Sequence, residues 1–212
     1  KLISAAELND IVDENWKNWP SKKKFEIGEM LYQGTNAPKN EVLALDLLES
    51  AAKDNFGGAI SLLADIKFDE NPVLAYQMML KLGSKSKRSK ATFLNEIEKA
   101  LTIEQILLQQ KIISKHVENR FPDGIDYLSG AMSFLRGQDD TRNYQLAYYG
   151  ALQASARGSS SGKRLVERIE KFAENRNLKD KEAWNKMLLK VQNDVFSDWK
   201  KSFGVKENAV EQ

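Results

Sequence analysis

Residues 25–66 read FEIGEMLYQGTNAPKNEVLALDLLESAAKDNFGGAISLLADI. Small residues stand at Gly28, Gly34, Ala44, Ala51, Ala52 and Ala59. Apolar residues fill the steps between them at helical spacing: Ile27, Met30 and Leu31, then Leu43, Leu47 and Leu48, then Leu62, Leu63 and Ile66. Gly34 with Pro38, and Asn55 with Gly57 and Gly58, punctuate these blocks. The stretch therefore predicts helix, turn, helix, turn, helix. Small residues at regular positions let helix backbones approach closely, so a packed αα-hairpin is expected.

The pattern returns downstream. A shift of 103 positions carries Gly34 onto Gly137, Asn40 onto Asn143, Ala44 onto Ala147 and Ala51 onto Ala154. Leu31 meets Phe134, Leu43 meets Leu146, and Leu62, Leu63 and Ile66 meet Leu165, Val166 and Ile169. Asn55 meets Gly158, and both residue types tolerate the left-handed backbone that ends a helix. Similarity at a fixed interval, in helical units, is the mark of an α-solenoid.

The order of Gly28, Gly34, the Pro-Lys-Asn turn, Ala44 and the Ala51-Ala52 pair resembles a Sel1-like repeat, a relative of the tetratricopeptide repeat. Leu31 stands where that family has an aromatic residue. The copy around Gly137 keeps the aromatic as Phe134 but has Ala131 for the first glycine and Ser155 for the second alanine. A degraded third copy runs from Ala59 to about Ser86, with Ala64, Ala75 and Leu82-Gly83 at the marked positions and Asn71-Pro72 opening its second helix. The resemblance implies an all-α, right-handed superhelix of helix-turn-helix repeats. Its expected limits are an N-terminal capping helix over residues 1–20, repeats over 21–175, a C-terminal capping helix over 178–203 and a tail over 205–212, making one domain over 1–204.

Composition bounds the function. Apolar residues make up 42% of the chain and charged residues 29%, enough to bury a core. A formal charge of +2 makes no case for nucleic acid. No apolar run reaches the roughly 18 residues of a membrane span. With no cysteine, disulfides, thiolate nucleophiles and cysteine-ligated metals are absent. Beginning at Lys1 rather than methionine fits a removed signal peptide or a trimmed chain. The lack of cysteine suits export, so a periplasmic or otherwise exported protein is expected, with a cytoplasmic one as the alternative.

Outside the central stretch, Ser4 to about Asn18 predicts an opening helix, with Ser4 and Glu7 as a capping box and Trp16 and Trp19 covering the first repeat. Gly83–Lys90 carries four basic residues and no acid, but without interleaved aromatics it reads as a solvated loop. Thr102 to about Asn119 predicts a helix with a Thr102/Gln105 capping box; with Ala91–Ala100 it fills the place of one divergent repeat. The single histidine, His116, has no second ring or thiol with which to hold a metal. Asp139 and Asp140 lack the alternating acids of a calcium loop. The run from Gly158 to Lys163 is one residue short of a phosphate loop, lacks its following Ser or Thr, and follows a helix rather than a strand; a helix over Gly162–Phe172 with a serine cap is expected instead. Asp180–Phe203 predicts a long helix with Trp184, Leu188, Val191, Val195, Trp199 and Phe203 along one stripe.

No catalytic triad, metal cluster or nucleotide loop is legible, so a cryptic enzyme is the weakest reading, and no cofactor is expected. The family resemblance implies a protein-binding module, in two versions: an exported bacterial adaptor or scaffold, or an immunity protein that neutralises a type VI secretion effector. In tetratricopeptide-like solenoids the first helix of each pair lines the concave face. That places Glu26, Glu29, Tyr32, Asp65, Lys67, Asp126, Tyr127 and Arg136 on the expected partner surface. Tyr32, Tyr127 and Arg136 lead, because tyrosine and arginine combine contact area with polar reach, and Glu29 and Lys67 support them.

Overall fold

The computed structural model describes residues 2–82, 89–113, 126–137 and 142–202. Among the described residues there are eleven α-helices, two short 3-10 turns and no strand. The chain divides into two compact units, Lys1–Ala100 and Leu101–Gln212. The basic loop at 83–88, His116, the Phe121–Gly124 break, Asp139 and Asp140, Phe203 and the tail lie outside the described residues.

The first unit contains α1 (Ala5–Val12), α2 (Ser21–Gln33), α3 (Glu41–Lys53), α4 (Gly57–Phe68), α5 (Pro72–Lys81) and α6 (Ser89–Ala100). From α2 onward each helix packs on the next in sequence. The expected seams are the buried ones: Ile27, Leu31, Ala44 and Leu47 form one cluster with Trp19, and Leu48, Ala51, Ala59 and Leu63 form the next. At the α2/α3 crossing a Cβ on Gly28 would lie 3.0 Å from Leu48 Cγ and 3.3 Å from the Ala44 carbonyl oxygen. Small residues there are thus a condition of the helix spacing.

The second unit contains α7 (Ile103–Ile113), α8 (Tyr127–Arg136), α9 (Tyr144–Ala156), α10 (Ser160–Glu170) and α11 (Leu178–Ser202). Helix α9 is its centre, contacted by α8, α10 and α11, and α11 also reaches back to α7. Trp184, 1% exposed, fills the middle. Its ring lies 5.3 Å from Tyr144, edge-on, and 4.9 Å from Phe172, and its indole N–H donates to the Ile169 carbonyl at 3.1 Å.

The 103-residue recurrence holds at the level of single hydrogen bonds. Gly34 and Gly137 end α2 and α8 at φ of 68° and 65°, a backbone that glycine adopts without penalty. The Asn40 amide donates to the Leu31 carbonyl, and the Asn143 amide to the Phe134 carbonyl, each at 3.0 Å. Both asparagines then cap the following helix, accepting from the Leu43 and Leu146 amides at 3.1 Å. Asn71 caps α5 in the same way, accepting from Leu74 at 3.0 Å. At the second turn Phe56 donates to the Ala51 carbonyl at 3.0 Å, and Ser159 to the Ala154 carbonyl at 3.1 Å.

Two local expectations are corrected. The opening helix does not run to Asn18: α1 ends at Val12, Glu14 turns left-handed at φ 58°, and a 3-10 turn covers Asn15–Asn18. The reason is the tryptophan that follows. Trp19 donates its indole N–H to Asp10 at 2.8 Å and lies 8% exposed in the core. In an unbroken helix these two residues would sit about 13 Å apart along the axis and half a turn out of phase. The next correction is at α10, which starts at Ser160 rather than Gly162, with Ser159 accepting from the Gly162 amide at 3.1 Å. The Ser4/Glu7 and Thr102/Gln105 capping boxes form as expected, each with both reciprocal bonds.

Candidate functional site

The expected partner residues fall into two groups, one in each unit. In the first unit, Glu29 and Tyr32 lie one turn apart on α2 and are half-buried. The Tyr32 ring packs against the Trp19–Leu31 cluster, with the Lys39 ammonium 6.0 Å from its centre. Glu26 is exposed and pairs with Lys22 at 3.7 Å. Lys67, on α4, pairs with Glu70 at 3.9 Å, and Asp65 is exposed.

In the second unit Asp126 is occupied as the cap of α8, accepting from the Ser129 amide at 2.8 Å. Tyr127 and Arg136 begin and end α8. Nine residues of helix rotate through about 900°, so the two project from opposite sides. Arg136 is exposed. Tyr127 is half-buried against α9: its ring centre lies 6.5 Å from that of Tyr149, and the Arg157 guanidinium sits over it at 4.4 Å.

This Tyr127–Arg157 contact has a counterpart at the same interval. Subtracting 103 gives Lys24 and Asp54. Lys24, 5% exposed, donates to Ser50 at 2.9 Å and approaches the Asp54 carboxylate at 3.7 Å. Ser50 in turn corresponds to Gln153, which binds Arg157 through both its side-chain and backbone oxygens, at 2.6 and 2.9 Å. The start of the first helix is therefore clasped to the end of the second in both helix pairs, α2/α3 and α8/α9. An ion pair makes the clasp in one and a cation–π stack in the other. Sequence reading missed it because the partners lie thirty residues apart (54 minus 24, 157 minus 127) and share no residue type. The signal was present in the 103-residue alignment itself.

Sequence reading also missed a polar network between α9, α10 and α11. Tyr148 donates to Glu170 at 2.6 Å and accepts from Gln192 at 2.8 Å. Tyr149 donates to Asp198 at 2.7 Å and accepts from Gln153 at 3.1 Å, and Gln153 accepts from the Trp199 indole at 3.0 Å. Burial, then the bond to Glu170, holds the Tyr148 phenol well above its ordinary range. Burial, then the bond to Asp198, pushes Tyr149 up to about 12. Both phenols donate to carboxylates on neighbouring helices, so the network ties α9 to α10 and α11.

Linkage gives the network a measurable sign. Tyrosine in the unfolded chain ionises near pH ~10. Above that, the folded state retains the Tyr149 proton that the unfolded state has lost. Its contribution is therefore full below pH ~10 and declines as the pH rises toward the folded value. The urea midpoint is expected to drop between pH 9.5 and 11.5, and Tyr149→Phe should flatten that drop. Equal slopes for the two proteins would remove Tyr149 from the account.

Among the described residues, no group of three His, Asp or Glu side chains is placed to hold a metal ion. No described helix is long and apolar enough to cross a membrane. No family model and no curated protein matches this chain.

Proposed function

We propose that the chain is a protein-binding module built as a right-handed superhelix of Sel1-like repeats. The observation that carries this reading is the contrast between framework and surface. The backbone bonds of α2/α3 recur in α8/α9, while the residues at half-buried and exposed positions of the first helix change chemistry. Glu29, Tyr32 and Gln33 of one repeat stand where Met132, Leu135 and Arg136 stand in the other. A constant framework with a varied surface is how repeat proteins build binding faces.

The residues proposed for partner contact are Tyr32, Glu29 and Lys67 in the first unit, and Tyr127 and Arg136, on opposite sides of α8, in the second. Tyr127 acts through Arg157, whose guanidinium it supports. The reading assigns no catalytic role and no cofactor. By resemblance alone, the module is an exported bacterial adaptor with a protein target.

The test is affinity capture from the native source, followed by Tyr32→Ala, Tyr127→Ala and Arg136→Ala against the captured partner. At least one variant should bind about tenfold more weakly, the scale of an interface hot spot. A melting curve for each variant separates lost contact from lost fold. Full affinity in all three would remove the assignment.

A further inference from the structure

Helix α11 has two working faces. Its inner face buries Asp180, Trp184, Met187, Leu188, Val191 and Val195. Its outer face carries three large apolar side chains in water: Leu178, Leu189 and Phe196, exposed by 72%, 60% and 56%. At about 100° per residue these three fall within roughly 20° of one another, on a line about 27 Å long. Lysines border the line at Lys181, Lys186, Lys190 and Lys200, against a single acid, Glu182. Lys181, Lys186 and Lys190 make no ion pair among the described residues, whereas the neighbouring Lys179 pairs with Glu104 at 3.5 Å. The Lys200 ammonium stands 4.8 Å from the Phe196 ring centre, which fixes a positive charge beside the apolar anchor.

We infer that the outer face of α11 is a docking seam for an acidic amphipathic helix of a partner protein. The charge balance selects the sign, since an anionic helix neutralises the bordering lysines and a cationic one is repelled. The shape selects a helix. The apolar line is one side chain wide and is interrupted by Glu182, Asn185 and Asn193. That suits the narrow seam between two helices, whereas a membrane-lying face needs a broad apolar arc. A second α11 is a poor occupant, because it would set lysine against lysine. The inference rests on the protein-binding reading but assigns recognition to residues other than Tyr32, Tyr127 and Arg136.

The test titrates the full chain with a labelled, end-capped 18-residue helical peptide carrying leucine along one stripe and glutamate on its flanks. A second peptide has lysine for glutamate, and vesicles of mixed phosphatidylserine and phosphatidylcholine form a third arm. The acidic peptide should bind, and more weakly as salt is raised. Leu189→Asn with Phe196→Asn should weaken it about tenfold or more. Lys186→Glu with Lys190→Glu should shift preference toward the lysine peptide. Tyr32→Ala and Arg136→Ala should leave the peptide affinity unchanged, so failure of the concave-face assignment is read separately. No binding of the acidic peptide, or binding indifferent to both α11 variants, overturns the inference. Vesicle binding lost in the same variants, with the peptide ignored, assigns the face to an anionic membrane instead.

Discussion

Ala44→Arg is expected to cost more than about 4 kcal/mol, enough to unfold most of the first unit at physiological temperature. Ala44 is fully buried between α2 and α3. The backbones there are so close that one extra carbon on Gly28 would already meet the Ala44 carbonyl oxygen at 3.3 Å. An arginine must push the helices apart and also strand a cation among Ile27, Leu31 and Leu47. Overpacking and an unpaired buried charge then act together. Val42, two residues away on the same helix, is 74% exposed and supplies the control. Val42→Arg should stay within about 0.5 kcal/mol of wild type. Urea denaturation followed by circular dichroism measures both, and an Ala44→Arg protein as stable as the control would show that the α2/α3 register is wrong.

Trp184→Ala carries the next largest effect, about 3–5 kcal/mol against the second unit. The loss has two parts. Removing the ring vacates the space against both Tyr144 and Phe172, which touch each other with centres 4.7 Å apart and lose their shared third partner. It also leaves the Ile169 carbonyl without the indole N–H. Trp184→Phe isolates the second part, because the ring contacts largely survive, and should cost about 1–3 kcal/mol. If both variants lose the same stability, the hydrogen bond rather than the packing dominates. If neither does, α11 is not integral to this core.

The framework was legible because its turns are made by residues with one physical reason to be there. Gly34 and Gly137 supply a positive φ, Asn40 and Asn143 supply a cap oxygen, and both reasons can be read from sequence. The α11 inner stripe was legible for the same kind of reason, since Trp184, Leu188, Val191 and Val195 follow the helical period and are buried. The break after Val12 was not, because it follows from a side-chain bond between Asp10 and Trp19 that no local pattern announces. Candidate site residues fared unevenly for a related cause. Glu29 and Tyr32 share a helical side, as their spacing implies. Tyr127 looked like a free aromatic until Arg157 was seen above it. The outward face of α11 was hidden by its own inner stripe, which accounted for most of the helix's large apolar residues.

The way α11 closes the second unit separates the two halves of the chain in time. In the first unit, helix packing from α2 onward runs between sequence neighbours, so each hairpin can form as it leaves the ribosome. The second unit is stitched across a long interval: the Ile103 amide donates to Asp180, 77 positions later, and Arg176 holds the Leu101 carbonyl from 75 positions away. At about 5–20 residues per second, α7 waits roughly 4–15 s for the helix that completes its first turn. During that interval the apolar side chains that α11 will cover stand open to water. Newly made chains are then most exposed to chaperones, proteases and misassociation, and a ribosome that stops before Asp180 releases one finished half and one unfinished half.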